Sequence, residues 1–421
     1  MIDLRGFPGC SGPGFPILTD GDAVSFFKNV EQVPGDPILG LTDAFRADAR
    51  DTKVNLGVGI YYDEEGRIPV MGAVQQVERA LAERSPARGY LPIDGMPDYR
   101  SATRELLFGA DSPVISEGRA STSQTIGGSG ALRVGAELLR HALPFARIAI
   151  STPSWENHRA VFPAAGFEVI DYTYFDDAAH GLDFEGMLAD LGKLAAGTVV
   201  LLHACCHNPT GADLTAEQWD QVIALMHERN LVPFVDMAYQ GFDQGIDEDA
   251  IAIRKLAASP IRNFLVANSF SKSFSLYGER VGALTVVSDS AEESGRVQSQ
   301  VKRLIRANYS SPSFHGAALV AGVLNDGGLR RQWEDELGGW RTRIHALREG
   351  LVERLAAHGA TGFDFIRHQA GMFSYSGLSR AQVDRLREEF GIYAVGTGRI
   401  CVAGLNRENL DYVAEAIAKV A

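Results

Sequence analysis

The stretch from Asn268 to Arg280, NSFSKSFSLYGER, sets four serines, two cations and one carboxylate directly after an apolar run, FLVA (264–267). Lys272 has serines at −3, −1, +1 and +3: Ser269, Ser271, Ser273 and Ser275. An ammonium at the end of a buried strand is a cost, because desolvation disfavours its charged form. A lysine that condenses with a carbonyl gives up that charge and gains reactivity. Taken alone, a lysine that snorkels to the surface is the commoner occupant of such a place.

Asp236 changes that balance. It ends another apolar run, VPFV (232–235), where a carboxylate is out of place unless it is paired. A pyridinium nitrogen would pair it, and pyridoxal phosphate needs a carboxylate there to keep its ring an electron sink. Tyr239, three residues on, and Asn208 in HNPTG carry groups suited to the ring oxygen. Arg280, eight residues past Lys272, supplies a fork suited to phosphate. TIGGSGALRVGAELL (125–139) reads as a glycine-rich turn opening a helix, whose amides and dipole would cradle a phosphate. No Gly-Lys-Ser/Thr follows it, so it is not a nucleoside-triphosphate loop.

Three rivals fail on the same residues. Ser269-Phe-Ser-Lys272 has the form of a hydrolase S-x-x-K, but neither S-D-N nor K-T-G occurs in the chain. HACCH (203–207) suggests zinc, yet consecutive strand residues point to opposite faces, which predicts core cysteines and no metal. A non-enzymatic cofactor-binding regulator needs a DNA-binding domain, and a 25-residue arm rich in Gly and Pro has no room for one.

The elements that must position these groups alternate between strand and helix. Apolar runs at 147–150, 198–204, 232–235, 264–267 and 281–287 are separated by amphipathic stretches such as AEQWDQVIALMHERN (216–230). Near-continuous apolar strands separated by helices predict a mostly parallel sheet covered on both faces. STPSWENH, CCHNPTG, DMAYQGF and NSFSK each follow one of these runs, at the carboxyl ends where α/β sheets bind ligands. A long helical run from Gly328 to His358, interrupted at Gly338-Gly339, leads to a shorter α/β portion, with which VNLGVGIYY (54–62) is expected to belong. The expected division is a flexible arm at 1–25, a small domain from 26–68 and 340–421, and a large cofactor domain at 69–339.

The chain has 421 residues, 45% of them hydrophobic and 22% charged, in keeping with a large buried core. A net charge of −13 argues against nucleic acid or an anionic membrane as partner. No run of 18 apolar residues is present to span a membrane. Four cysteines, two of them adjacent, suit reduced thiols better than a disulfide framework, and the expected location is the cytoplasm.

CCHNPTG, DMAYQGF, NSFSKSFSLYGERVG, RANYSSP and GRICVAG, in this order and spacing, resemble the aspartate/aromatic aminotransferases. These are fold type I pyridoxal-phosphate enzymes, and the likeness runs from Phe26 to the C-terminus, nearest the bacterial aromatic branch. It implies an α/β fold: a large domain with a mostly parallel seven-stranded sheet, and a smaller α/β domain that closes over substrate. It also implies a homodimer with active sites at the subunit interface. By this resemblance Lys272 carries pyridoxal 5'-phosphate, Asp236 pairs with its ring nitrogen, and His158 stands behind Asp236. Tyr239 and Asn208 bond the ring oxygen, and Trp155 stacks on the ring. Gly128, Ser129, Ser269, Ser271 and Arg280 form the phosphate cup, and Tyr90 reaches the neighbouring subunit's phosphate. Arg399 grips the substrate α-carboxylate beside the Gly59 backbone, and Arg306 reaches across the dimer to a side-chain carboxylate.

The substrates implied are amino acids and 2-oxo acids. Arg306 points to aspartate and glutamate through a bidentate pair. SQTIGGSGAL, SWENH, GADLT and YSSP lean toward the aromatic branch, since aspartate enzymes commonly carry YSNP. The expectation is one pocket for both classes with 2-oxoglutarate as a common acceptor; a strict aspartate aminotransferase is the alternative.

Overall fold

The computed structural model describes residues 27–33, 35 and 38–421, apart from the side chain of Leu39. The arm expected over residues 1–25 lies outside the described residues. The chain divides into a short N-terminal unit ending at Asp36 and a unit from Pro37 to Ala421. The first unit shows a turn over residues 27–29, closed by Val30 N–H to the Phe27 carbonyl at 3.0 Å.

Seven strands make one sheet in the second unit. In chain order they are β1 (Ala120–Ile126), β2 (Ile148–Thr152), β3 (Val169–Thr173), β4 (Val199–His203), β5 (Val232–Met237), β6 (Phe264–Ser269) and β7 (Val281–Val287). Their order across the sheet is β1–β7–β6–β5–β4–β2–β3, parallel except for β7, which is antiparallel to both neighbours. The apolar runs read from the sequence are β2 and β4 to β7. β1, ASTSQTI, escaped that reading because its side chains are polar. It is stable inside because they are satisfied: Thr122 meets the Thr285 hydroxyl at 2.8 Å, and Gln124 donates to the Ser313 carbonyl at 2.6 Å.

Helices cover both faces and leave two apolar clusters with the sheet between them. Helix Gly127–Ala142 approaches closely through Gly135, where a Cβ would stand 2.5 Å from Phe234 Cζ. On the other side Trp333 stacks on Phe274 at 4.6 Å and donates its indole N–H to the Ser273 carbonyl at 2.6 Å. Each such buried ring contributes about 1.5–3 kcal/mol, and this pair also pins the backbone next to Lys272.

The long helix runs unbroken from Gly327 to Ala357, so the expected interruption at Gly338-Gly339 is absent. Two glycines cost roughly 1 kcal/mol each in a helix interior, less than the flanking Trp333, Leu337, Ile344 and Leu347 gain by burial. Beyond it, Arg399–Cys401 pairs antiparallel with Phe373–Tyr375, and Val54–Asn55 lies parallel to Ile392–Tyr393.

Candidate active site

Registry brings the central groups together. His203, Asp236 and Ala267 are aligned neighbours on β4, β5 and β6, and Lys272 lies three residues beyond the end of β6. Asp236 is buried, and His158 Nε2 lies 3.0 Å from its Oδ2, with Nδ1 2.9 Å from the Ser154 hydroxyl. Burial alone would raise the Asp236 carboxyl, but the His158 hydrogen bond, helped by the Lys272 ammonium, holds it below its ordinary value. An ionised carboxylate only accepts, so His158 Nε2 carries the hydrogen.

Lys272 is half-buried, with Nζ 5.1 Å from the centre of the Tyr239 ring. Burial lowers its ammonium to about 8, and Arg280 and Arg399 push the same way against the opposing charge of Asp236. It is therefore an amine available in neutral form near physiological pH. Tyr239 is buried, and burial raises its phenol, which stays protonated and able to donate.

A cradle lies beside it. Gly128 and Ser129 open the sixteen-residue helix Gly127–Ala142. Gly127 has φ +66, and a Cβ there would stand 2.5 Å from Arg280 Nη2. Gly127 N–H donates to the Arg280 carbonyl at 2.9 Å, and Arg280 donates to Ser271 Oγ at 3.3 Å. Ser269 Oγ accepts from Ser271 N–H at 3.2 Å. Amides at a helix N-terminus, two hydroxyls and a guanidinium converge as a phosphate requires. The sequence reading passed over Gly127, whose positive φ and contact with Arg280 make it part of this wall.

Arg399 is buried to 1% exposure. It donates to Asn208 Oδ1 at 3.0 Å and to the Gly57 carbonyl at 2.8 Å, over the face of Phe373 at 4.3 Å. Its Nε has no partner among the described residues. Since Asn208 spends its oxygen on Arg399, its amide hydrogens remain for a ring oxygen. The carbonyl that accepts from Arg399 is that of Gly57, two residues before Gly59. Gly59 lies against Phe373 instead, where a Cβ would stand 2.5 Å from Cζ, so its backbone passes close to the ring under Arg399. Trp155 is half-buried and meets His158 edge-on at 5.2 Å.

Two of the expected residues stand apart from this cluster. Tyr90 is 98% exposed. Arg306 is exposed at the end of helix Ala291–Asn308 and donates to Ser310 Oγ.

HACCH supplies the buried core cysteines expected of it, in a different geometry. Cys206 has φ +51, which turns the chain just past β4, so the two thiols gather with Asp249 instead of facing opposite ways. Asp249 accepts from the amides of Gly241, Asp243, Gln244 and Gly245, and burial pushes Cys205 up to about 12 and raises Cys206 well above its ordinary value. Protonated thiols around a committed carboxylate make a packing cluster. His158, His203 and Asp236 also lie within metal-binding reach, but two of them are already bonded to each other. His203 lies 5.2 Å from His158 and 4.3 Å from His207, and burial pushes it down to about 3, so it stays neutral behind Asp236.

A phosphate cradle, a neutral amine and an ionised buried carboxylate serve one ligand only if it carries a phosphate, a carbonyl and a basic ring nitrogen. Pyridoxal phosphate is that ligand, and the residues present fit it: the cradle would be filled by a Cβ at Gly127, and Asp236 is held charged. The class is thus a pyridoxal-phosphate enzyme.

Comparison with known proteins gives the family. Residues 51–417 match the family model described as aminotransferase class I and II. The chain is 56% identical over 398 residues to an aspartate aminotransferase of Pseudomonas aeruginosa, covering 94% of this chain and 100% of that one. It is similar to the crystal structure of an aromatic-amino-acid aminotransferase from Burkholderia pseudomallei covalently bound to pyridoxal phosphate (TM-score 0.92, 58% identity, 94% and 100% of the two chains covered). It is also similar to an aromatic amino acids aminotransferase from Psychrobacter sp. B6 cocrystallised with aspartic acid (TM-score 0.92, 48% identity, 94% and 99% covered). The chain belongs to the class I and II aminotransferases and is a pyridoxal-phosphate-dependent enzyme.

Proposed function

We propose that the enzyme moves the α-amino group of aromatic amino acids (tyrosine, phenylalanine) and dicarboxylic ones (aspartate, glutamate) to 2-oxoglutarate or related 2-oxo acids, by a two-stage exchange. The contrast between its two arginines carries this reading. Arg399 is buried and held from two sides, which suits the α-carboxylate common to every substrate. Arg306 is exposed, so it can meet a second carboxylate or stay in water when a ring takes that place. A buried, unpaired guanidinium beside an aromatic ring would be costly. Similarity to relatives named for aspartate and for aromatic amino acids supports both halves.

Bound pyridoxal phosphate supplies the electron sink that lets a Cα–H bond ionise. Lys272 is the base that takes the substrate's Cα proton and returns it, its amine being neutral in part near pH 8. Asp236, oriented by His158, holds positive charge at the ring nitrogen. Tyr239 and Asn208 donate to the ring oxygen, Gly128, Ser129, Ser269, Ser271 and Arg280 hold the phosphate, and Trp155 covers the ring. Arg399 orients the substrate, with the backbone at Gly57 and Gly59 beside it.

The working unit in this reading is a homodimer: Tyr90 and Arg306 are exposed, as residues that complete a neighbour's site must be. The pairing of Val54–Asn55 with Ile392–Tyr393 supports a small domain built from 26–68 and 340–421 around a large domain at 69–339. Three free thiols among the described residues support a cytoplasmic location. No described helix is long and apolar enough to cross a membrane.

The test is a kcat/KM series for Tyr, Phe, Asp and Leu with 2-oxoglutarate, followed by single half-reactions of Arg306→Leu. Loss of a charge-assisted pair should lower aspartate by about tenfold or more and leave tyrosine largely intact. The half-reactions are needed because 2-oxoglutarate also uses this arginine. Equal losses for both substrates would refute the role, and negligible wild-type turnover of Tyr and Phe would leave a strict aspartate enzyme.

A further inference from the structure

Tyr90 and Arg306, the two residues given above to a neighbouring subunit's site, sit on segments that one buried carboxylate ties together. We propose that Asp94 is a positioning residue that sets both at once, so that cofactor affinity and dicarboxylate selectivity depend on a single side chain. The proposal rests on the cross-subunit roles of Tyr90 and Arg306.

Asp94 lies four residues after Tyr90 and its side chain is 5% exposed. Its Oδ2 meets Arg100 Nη1, Lys302 Nζ at 3.1 Å and Gln298 Nε2 at 3.1 Å. Lys302 and Gln298 stand on helix Ala291–Asn308. Lys302 precedes Arg306 by four residues, one turn along the same face. Gln298 donates in addition to Ser123 Oγ on β1 at 3.0 Å, which fixes the helix to the sheet.

The loop is fixed at its return as well. Gly95 N–H donates to the Pro92 carbonyl at 2.8 Å, and the Asp94 carbonyl accepts from Gln124 N–H at 3.0 Å. Gly95 has φ +90, and a Cβ there would stand 2.3 Å from Gln124 Cβ. Gln124 accepts from Met96 N–H at 3.3 Å and donates to the carbonyl of Ser313, three residues past Ser310, the partner of Arg306. Both segments are thus referred to the same point on β1. Nothing in this network touches Lys272, Asp236 or Arg399, so its loss should not disturb proton transfer.

An amide at position 94 keeps the size but leaves Arg100 and Lys302 without a counter-charge. Asp94→Asn should weaken pyridoxal-phosphate affinity of cofactor-stripped enzyme by about tenfold. It should lower the ratio of aspartate to phenylalanine kcat/KM in half-reactions by a similar factor, with the phenylalanine rate constant little changed. Asp94→Glu should recover much of both. Lys302→Met removes the helix side alone, so it should shift the substrate ratio and spare cofactor affinity, and it stands in if Asp94→Asn does not fold. Tyr90→Phe and Arg306→Leu are the controls, the first expected to weaken cofactor and the second aspartate. If each control has its effect while Asp94→Asn leaves either property unchanged, the link is refuted. An equal loss of aspartate and phenylalanine in Asp94→Asn, without rescue by Glu, would show a merely structural role and also refute it. Silent controls would remove the cross-subunit reading itself, and this proposal with it.

Discussion

Lys272 should titrate near pH 8 in enzyme stripped of cofactor, and the structure provides the sign of each contribution. Burial is the largest, lowering the amine from 10.5; Arg280 and Arg399 lower it further, and Asp236 raises it. A fall from 10.5 to about 8 favours the neutral amine by about 3 kcal/mol. At pH 7.5 roughly a quarter of Lys272 is then neutral, against about 0.1% of an unperturbed lysine, a gain of about two hundredfold in reactive form. Trace acetylation with acetic anhydride across pH 6–11, read by peptide mass spectrometry, reports this directly, because only the neutral amine reacts. The exposed lysines of the same sample are the internal standard. Asp236→Asn should move the Lys272 midpoint down, since the field favouring its ammonium is removed. Arg399→Ala should move it up. A midpoint among the surface lysines, at about 10.4, or shifts of the opposite sign, would refute the electrostatic account of this base.

Arg399→Ala removes the grip on the α-carboxylate, two charge-assisted bonds at about 1.5–3 kcal/mol each, so kcat/KM should fall by about 10²–10⁴. The fall should be alike for tyrosine and aspartate in stopped-flow half-reactions; a loss confined to one would contradict the assignment. Gly127→Ala places a Cβ against Arg280 at a strained φ, and should weaken pyridoxal-phosphate affinity by about tenfold or more in a spectroscopic titration. Unchanged affinity would exclude this turn from the phosphate site.

Much of the site was legible because its groups are local to strand ends. Lys272, Ser269, Ser271 and Arg280 fall within twelve residues, and Asp236 closes a run that reads as a strand without any tertiary knowledge. β1 was not legible, because Thr122 and Gln124 find their partners at Thr285 and Ser313, far along the chain. HACCH was legible as core cysteines but not in its geometry: the strand ends at His203, and no side chain announces the left-handed turn at Cys206. The hydrogen bond from Arg399 to the Gly57 carbonyl was not legible, because it depends on how the chain at 57–59 packs against the Phe373 ring, which spacing does not encode. The tie at Asp94 was invisible for the same cause, since Gln298 is 204 residues away.

The same electrostatics make the base respond to its ligands. Arg280 and Arg399 both depress the Lys272 amine, and in the proposed reading one meets a phosphate and the other an α-carboxylate. When such an anion pairs with its arginine, the positive field at Lys272 weakens and the amine becomes more basic. Asp236 adds to this only while it stays ionised, which the His158 hydrogen bond secures against the effect of burial. His203, kept neutral by that burial, adds no competing positive charge behind the pair. In the proposed reading the lysine is therefore a weaker base before the substrate α-carboxylate reaches Arg399 and a stronger one once it is bound, and Cα deprotonation follows that arrival.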